Sequence, residues 1–249
     1  VPNYVKRRPP AVPGSIPDVL KMFQSEVRFY TEIAPVVGVR VPECYQAEQT
    51  VDGTLLVLED LSAWTPGAAP DAGARALREL HDRWVGRLEQ WPWIRPIGAG
   101  EDLVAALYDE AWPAIAARSD LSPAVLEFGQ RLVGKVQDVD RVVATAGPLT
   151  LVHGDASAQN LRTGPNGEVA FLDWEDVSAA PGVLDLAWFL VSSVEPAAWS
   201  DALNAYGPVD GLRSVLPSVM VQGYLSVSDL PDGAATAWNA RLGSAVGML

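Results

Sequence analysis

Histidine and cysteine are nearly absent from this 249-residue chain, which has two of the first, His81 and His153, and one of the second, Cys44. One cysteine excludes an internal disulfide and any cysteine-based zinc site, and two histidines leave few ligands for other zinc centres. A lone thiol fits a reducing compartment, so the cytoplasm is the expected location. Basic residues are also outnumbered, 18 against 31 acids, for a net charge of −13. Such a surface repels phosphate backbones and anionic lipids, which argues against nucleic acid and membrane partners. Its first use is solubility; attraction of a cationic ligand is the second. No apolar run reaches transmembrane length, because Val183 to Val194 is short and is interrupted by Asp185. Glycine-rich phosphate-binding patterns, G-x-G-x-x-G and G-x-x-x-x-G-K-[ST], do not occur, and a secretion signal is not expected.

What is there is a 49% hydrophobic composition, enough to bury a core in one large domain or two lobes around a cleft. Asn3 to Lys6 reads as a strand cut off by Pro9 and Pro10. Residues 18 to 34 read as one helix, with Asp18 as its cap, apolar residues at helical spacing and Pro35 at its end. Tyr45 to Glu48 and Thr54 to Leu58 read as strands joined at Asp52-Gly53. Glu59 to Ala72 is turn-rich and reads as a connector. Helices are expected over 71–87, 103–117 and 123–144. An α+β N-terminal part thus precedes a mainly helical part, which strands and loops interrupt over 149–173.

Chemistry concentrates in that interruption. The apolar run Leu149 to Val152 ends in His153-Gly154-Asp155, in a polar loop placed by a strand, where functional residues gather. After Asn160, "LRT" reads as a strand, Gly164 to Gly167 as a turn and "EVAFL" as the returning strand, with Asp173 next. An antiparallel hairpin brings its open ends together, so Asn160 and Asp173 are expected to converge, with Asp155 just before them. An amide oxygen and two carboxylates are hard ligands that suit Mg²⁺. One free carboxylate in the loop to take a proton, with an Asn five positions on and a later Asp to carry metal, is the arrangement kinases use for phosphoryl transfer.

"HGDASAQN" (153–160), "FLDWE" (171–175) and "GVLDLA" (182–187) together resemble the aminoglycoside phosphotransferase and choline kinase-like superfamily. "YVKRRPP", "SEVRFYTEIAP", "VPECYQA" and "LLVLEDL" extend the resemblance to the N-terminal part, nearest the ecdysteroid-kinase-like branch. It implies an α+β, two-lobed protein-kinase-like fold, with a small, partly β nucleotide-binding lobe over 1–61 and a large helical lobe over 62–249. The implied activity is ATP- and Mg²⁺-dependent transfer of the γ-phosphate to a hydroxyl of a small molecule. Carried over by position, Asp155 is the catalytic base, and Asn160 and Asp173 hold Mg²⁺. Lys6 pairs with the ATP phosphates, Glu26 holds Lys6, and backbone near Glu59 to Leu61 meets the adenine. His153 and Asp185 become structural, His81 packs a helix, and Glu175 either joins the metal shell or bonds water. The Gly-rich strands that precede the lysine strand in this family are missing, since only five residues precede Lys6; with Val at position 1, the chain is expected to be a piece of a longer protein.

Nine tryptophans and the acid excess keep a cationic acceptor, an amine or quaternary ammonium, among the candidates. Aminoglycoside, choline-like, macrolide, sterol-like and nucleoside acceptors all fit the motifs, and the oligomeric state has no signature. Two rival readings stand: a pseudokinase-type module that binds nucleotide without turnover, and a metal-dependent hydrolase built on His153, Asp155 and Asp173.

Overall fold

The computed structural model describes residues 2–98 and 100–249. The first strand, β1 (Asn3–Arg8), runs two residues past the expected end because Arg7 and Arg8 still pair with Leu55 and Thr54 before Pro9 removes the next N–H. Two short helices follow, α1 (Ile16–Val19) and α2 (Met22–Arg28), where one continuous helix is expected. The break is at Lys21, which takes a left-handed φ of 54°. Asp18 does not cap the longer helix; its carboxylate accepts the Gly14 N–H at 2.9 Å and Lys21 Nζ at 3.0 Å. α2 then widens into a π turn over Phe29–Ile33, which buries Phe29, Tyr30 and Ile33 together.

β2 (Cys44–Thr50) and β3 (Gly53–Glu59) form the expected hairpin, and the antiparallel sheet has the order β1-β3-β2. β4 (Thr65–Pro66) lies inside the segment read as a connector, and α3 (Pro70–Trp84) follows. Next come β5 (Arg95–Pro96), α4 (Glu101–Ala116), α5 (Pro123–Leu132) and α6 (Val136–Val143). The last two replace a single expected helix, because Gly134 turns left-handed at φ 68° and gives its N–H to Asp109. β6 (Leu149–Val152), β7 (Leu161–Thr163), β8 (Val169–Phe171) and β9 (Ser178–Pro181) carry the site. β9 pairs with β6 and, in parallel, with β5, while β4 extends the β7-β8 hairpin. Strands of two residues have no periodicity to read, so β4 and β5 were invisible in the sequence.

The remaining helices are α7 (Val183–Ser193), α8 (Trp199–Tyr206), α9 (Leu212–Ser228) and α10 (Thr236–Met248). α7 packs against α9 and α10 and buries Leu186, Ala187, Phe189 and Leu190 completely or nearly so. Phe29 from the π turn stacks on Trp174 at 4.0 Å, tying the N-terminal helix to the segment after β8. No helix among the described residues is long and apolar enough to cross a membrane.

Candidate active site

The loop after β6 is held from beneath by Asp185, one turn into α7. Its two carboxylate oxygens accept the backbone N–H groups of His153 at 2.7 Å and Gly154 at 2.9 Å. His81 of α3 adds a bond from Nε2 at 3.1 Å and meets the Tyr206 hydroxyl through Nδ1 at 2.8 Å. Asp185 is fully buried; burial works against its charge, but the His81 bond and the N–H donors prevail and hold the carboxyl below its ordinary range. His81 therefore does more than pack its helix. Gly154 adopts φ 87°, and a Cβ there would stand 2.4 Å from the Asp176 carbonyl oxygen, so only glycine fits between His153 and Asp155.

His153 is buried, with both ring nitrogens taken. Nδ1 accepts the Asp155 N–H at 3.2 Å, and Nε2 donates to the Leu172 carbonyl at 2.8 Å. It pins the loop to the far strand of the hairpin. Leu161 pairs with Phe171, and Leu172 gives its N–H to the Asn160 carbonyl at 2.8 Å. Asn160 thus stands opposite Leu172, and Asp173 is one residue further out, in a left-handed conformation at φ 59°. A non-glycine residue held there stores strain of the kind found at functional positions.

Asp155 is not the free carboxylate the sequence suggests. One oxygen accepts Trp188 Nε1 at 2.6 Å and the other accepts Asn160 Nδ2 at 2.8 Å. Trp188 was missed; its signal is its place three residues after Asp185, on the same side of α7. Because Nδ2 of Asn160 is used on Asp155, its amide oxygen is left without a hydrogen bond among the described residues.

Lys6 reaches in from β1 and bonds Glu26 at 2.8 Å and Asp173 at 2.8 Å, so the structure joins three candidate residues directly. Burial opposes the Lys6 charge, but the Glu26 and Asp173 carboxylates outweigh it and raise its pKa. Glu26 is nearly fully buried, and that burial pushes its carboxyl up against the pull of Lys6. Glu32, six residues further along, bonds Arg28 and Trp93 instead. Glu175 is pushed up to about 7, first by burial and then by Asp173. One oxygen each of Glu26, Asp173 and Glu175 lie within 4.8 Å of one another. Arg8, missed in the sequence, pairs with Glu175.

Two cavities flank this loop. One, of about 270 Å³, is lined by Tyr4, Lys6, Leu58, Leu61, Asn160 and Asp173. Glu59 also lines it, with the carboxylate clamped on Arg40 at 2.6 Å, and Leu61 is a buried part of the lining. The other, of about 330 Å³, is lined by Asp155, Asp176, Ser178, Trp188, Val219 and Gln222. Arg95 neutralises Asp176 at 2.7 Å and bonds the Leu20 carbonyl, closing this wall against the N-terminal helices.

The comparisons agree with this architecture. A spectinomycin phosphotransferase, solved with ADP and spectinomycin, superposes with a TM-score of 0.59 at 12% identity, over 99% of this chain and 86% of that one. An aminoglycoside-3'-phosphotransferase of type VIII gives 0.54 at 20% identity, over 98% and 84%. A choline kinase from Streptococcus pneumoniae gives 0.56 at 15% identity, over 91% and 80%. At these identities the likeness is one of fold, the kinase-like α+β fold, and it spans aminoglycoside and choline kinases rather than a single branch. No curated protein matches by sequence. The model of the phosphotransferase enzyme family matches residues 3–217, most of the chain. The chain belongs to the phosphotransferase enzyme family.

Proposed function

We propose that this protein transfers the γ-phosphate of ATP to a hydroxyl of a small molecule, with a nucleotide-binding lobe over 1–61 and a lobe over 62–249 that carries the catalytic loop, the metal ligands Asn160 and Asp173 and the acceptor pocket. The observation that carries the reading is the division of labour across one loop. Asp155 faces one cavity, Asn160 and Asp173 face the other, and Asn160 Nδ2 bonds Asp155 at 2.8 Å between them. Phosphoryl transfer requires this: an acceptor and a nucleotide approaching a common line from two sides.

In the nucleotide cavity, the backbone near Glu59–Leu61 meets the adenine, and Lys6, kept charged by Glu26, turns from Asp173 to the phosphates. The Asn160 amide oxygen and the Asp173 carboxylate form an all-oxygen donor set that fits Mg²⁺, which would neutralise charge on the phosphates. In the acceptor cavity, Asp155 orients the hydroxyl and receives its proton as the acceptor oxygen bonds the γ-phosphorus and the bond from that phosphorus to the β-phosphate oxygen breaks, releasing ADP. Trp188 and Asn160 fix both of its oxygens, which limits the conformations it must leave to react. Because both ring nitrogens of His153 bond the backbone, the hydrolase reading lacks its nitrogen ligand. A cavity of about 330 Å³ with Asp155 and Trp188 in its wall suits a compact acceptor, and an amine-bearing alcohol is the first to try.

The test is ADP formation and acceptor phosphorylation with a panel of hydroxylated acceptors, aminoglycosides, choline and macrolides among them. Asp155→Asn is expected to lower kcat by about 10²- to 10⁴-fold while leaving ATP affinity unchanged. Turnover near that of the wild type in this variant contradicts the assignment of the base.

A further inference from the structure

We propose that Arg8 is a second phosphate-binding residue, which grips the terminal phosphates of the nucleotide while Lys6 holds the inner ones. The inference rests on the kinase reading above. Side chains alternate along a strand, so Tyr4, Lys6 and Arg8 share one face of β1. Tyr4 and Lys6 both line the nucleotide cavity. The register gives this row a direction: Asn3 pairs with Glu59 at the adenine end and Arg8 with Thr54 at the other. With about 3.3 Å of rise per residue, Arg8 starts roughly 7 Å beyond Lys6, away from the base. A group there meets the outer end of a triphosphate.

The guanidinium is held ready for that position. It lies over the Phe23 ring at 4.4 Å, it pairs with Glu175, and Nη2 is 3.9 Å from Asp173 Oδ1. A quarter of the side chain remains exposed. Charge gives the reason for a second cation. Lys6 stands among three acidic side chains, Glu26, Asp173 and Glu175, so a single cation meets the incoming phosphates beside an acidic cluster. Arg8 reduces that excess, and its planar fork matches phosphate oxygens two at a time. Glu175 holds the fork beside Asp173, which lines the cavity, until phosphate displaces it.

The competing account makes Arg8 only a partner for Glu175, and the number of phosphates on the ligand separates the two. Calorimetric titration of wild type, Arg8→Met and Arg8→Lys with ATP, ADP and AMP, each with Mg²⁺, reads the difference. Arg8→Met is expected to weaken ATP about 10- to 100-fold, ADP less, and AMP by under about twofold. Arg8→Lys, which keeps the charge and loses the fork, is expected to fall between. Equal losses for all three nucleotides, or none, overturn the inference. If Arg8→Met does not fold, Arg8→Lys decides by the same graded or ungraded pattern. Wild-type protein that binds none of the three overturns the kinase reading, and this inference with it.

Discussion

Asp155 shows what a sequence tells at the scale of one residue and where it stops. Its loop position and its spacing to Asn160 were readable, because a five-residue interval is a property of the chain. Its two hydrogen-bond donors were not equally so: Asn160 lies in the motif, whereas Trp188 lies 33 residues away and reaches Asp155 only through the packing of α7. Removing the Trp188 bond tests its worth. Trp188→Phe keeps most of the ring and loses the N–H, and kcat is expected to fall about tenfold with the KM for ATP unchanged. A fall in stability without a fall in kcat, measured by melting and by initial rates on the same preparation, makes Trp188 a packing residue only. Lys6 and Glu26 were legible as candidates, and they meet at 2.8 Å. Arg8 was not, since three basic residues in a row look alike until the alternation of β1 separates Arg7, exposed, from its neighbours.

Among elements, the loop between β6 and β7 depends on α7 below it and on the segment after β8 beside it. Gly154→Ala sets a Cβ against the Asp176 backbone at 2.4 Å and forces a φ of 87° on a residue that resists it. Thermal melting is expected to show a loss of about 2 kcal/mol or more, and activity should fall further than stability because Asp155 moves with the loop. Asp185→Ala leaves the His153 and Gly154 N–H groups and buried His81 without their acceptor, and a loss of about 3 to 5 kcal/mol follows. The native pKa of Asp185 is depressed below its ordinary 3.8. Its contribution to stability is therefore present in full above the ordinary carboxylate range and is lost as pH falls through the native value. Asp185→Asn should flatten the acid limb of melting temperature against pH, and an unchanged limb contradicts this origin. The helix boundaries missed in the sequence have local causes. Lys21 and Gly134 turn left-handed where the apolar spacing runs on without a break, and a spacing argument sees side chains, not φ.

At the scale of the molecule, the class of fold was legible because an α+β beginning, a helical remainder and one interrupting hairpin are large features of the chain. The two cavities were not, because their walls combine residues far apart in sequence, such as Tyr4 with Asn160, or Asp155 with Val219. The acceptor is hidden for the same reason: the cavity beside Asp155 draws its walls from segments as distant as Ile16, Arg95 and Gln222. The central claim is that one loop joins a working Mg²⁺–nucleotide site to an acceptor site. The most direct measurement is the melting temperature of the protein with ATP, with and without Mg²⁺, for wild type and Asp173→Asn. A ligand that binds only the folded state must raise it. The account predicts a rise of several degrees that needs Mg²⁺ and disappears in Asp173→Asn; an ATP-induced rise indifferent to both Mg²⁺ and Asp173, or no rise at all, contradicts it.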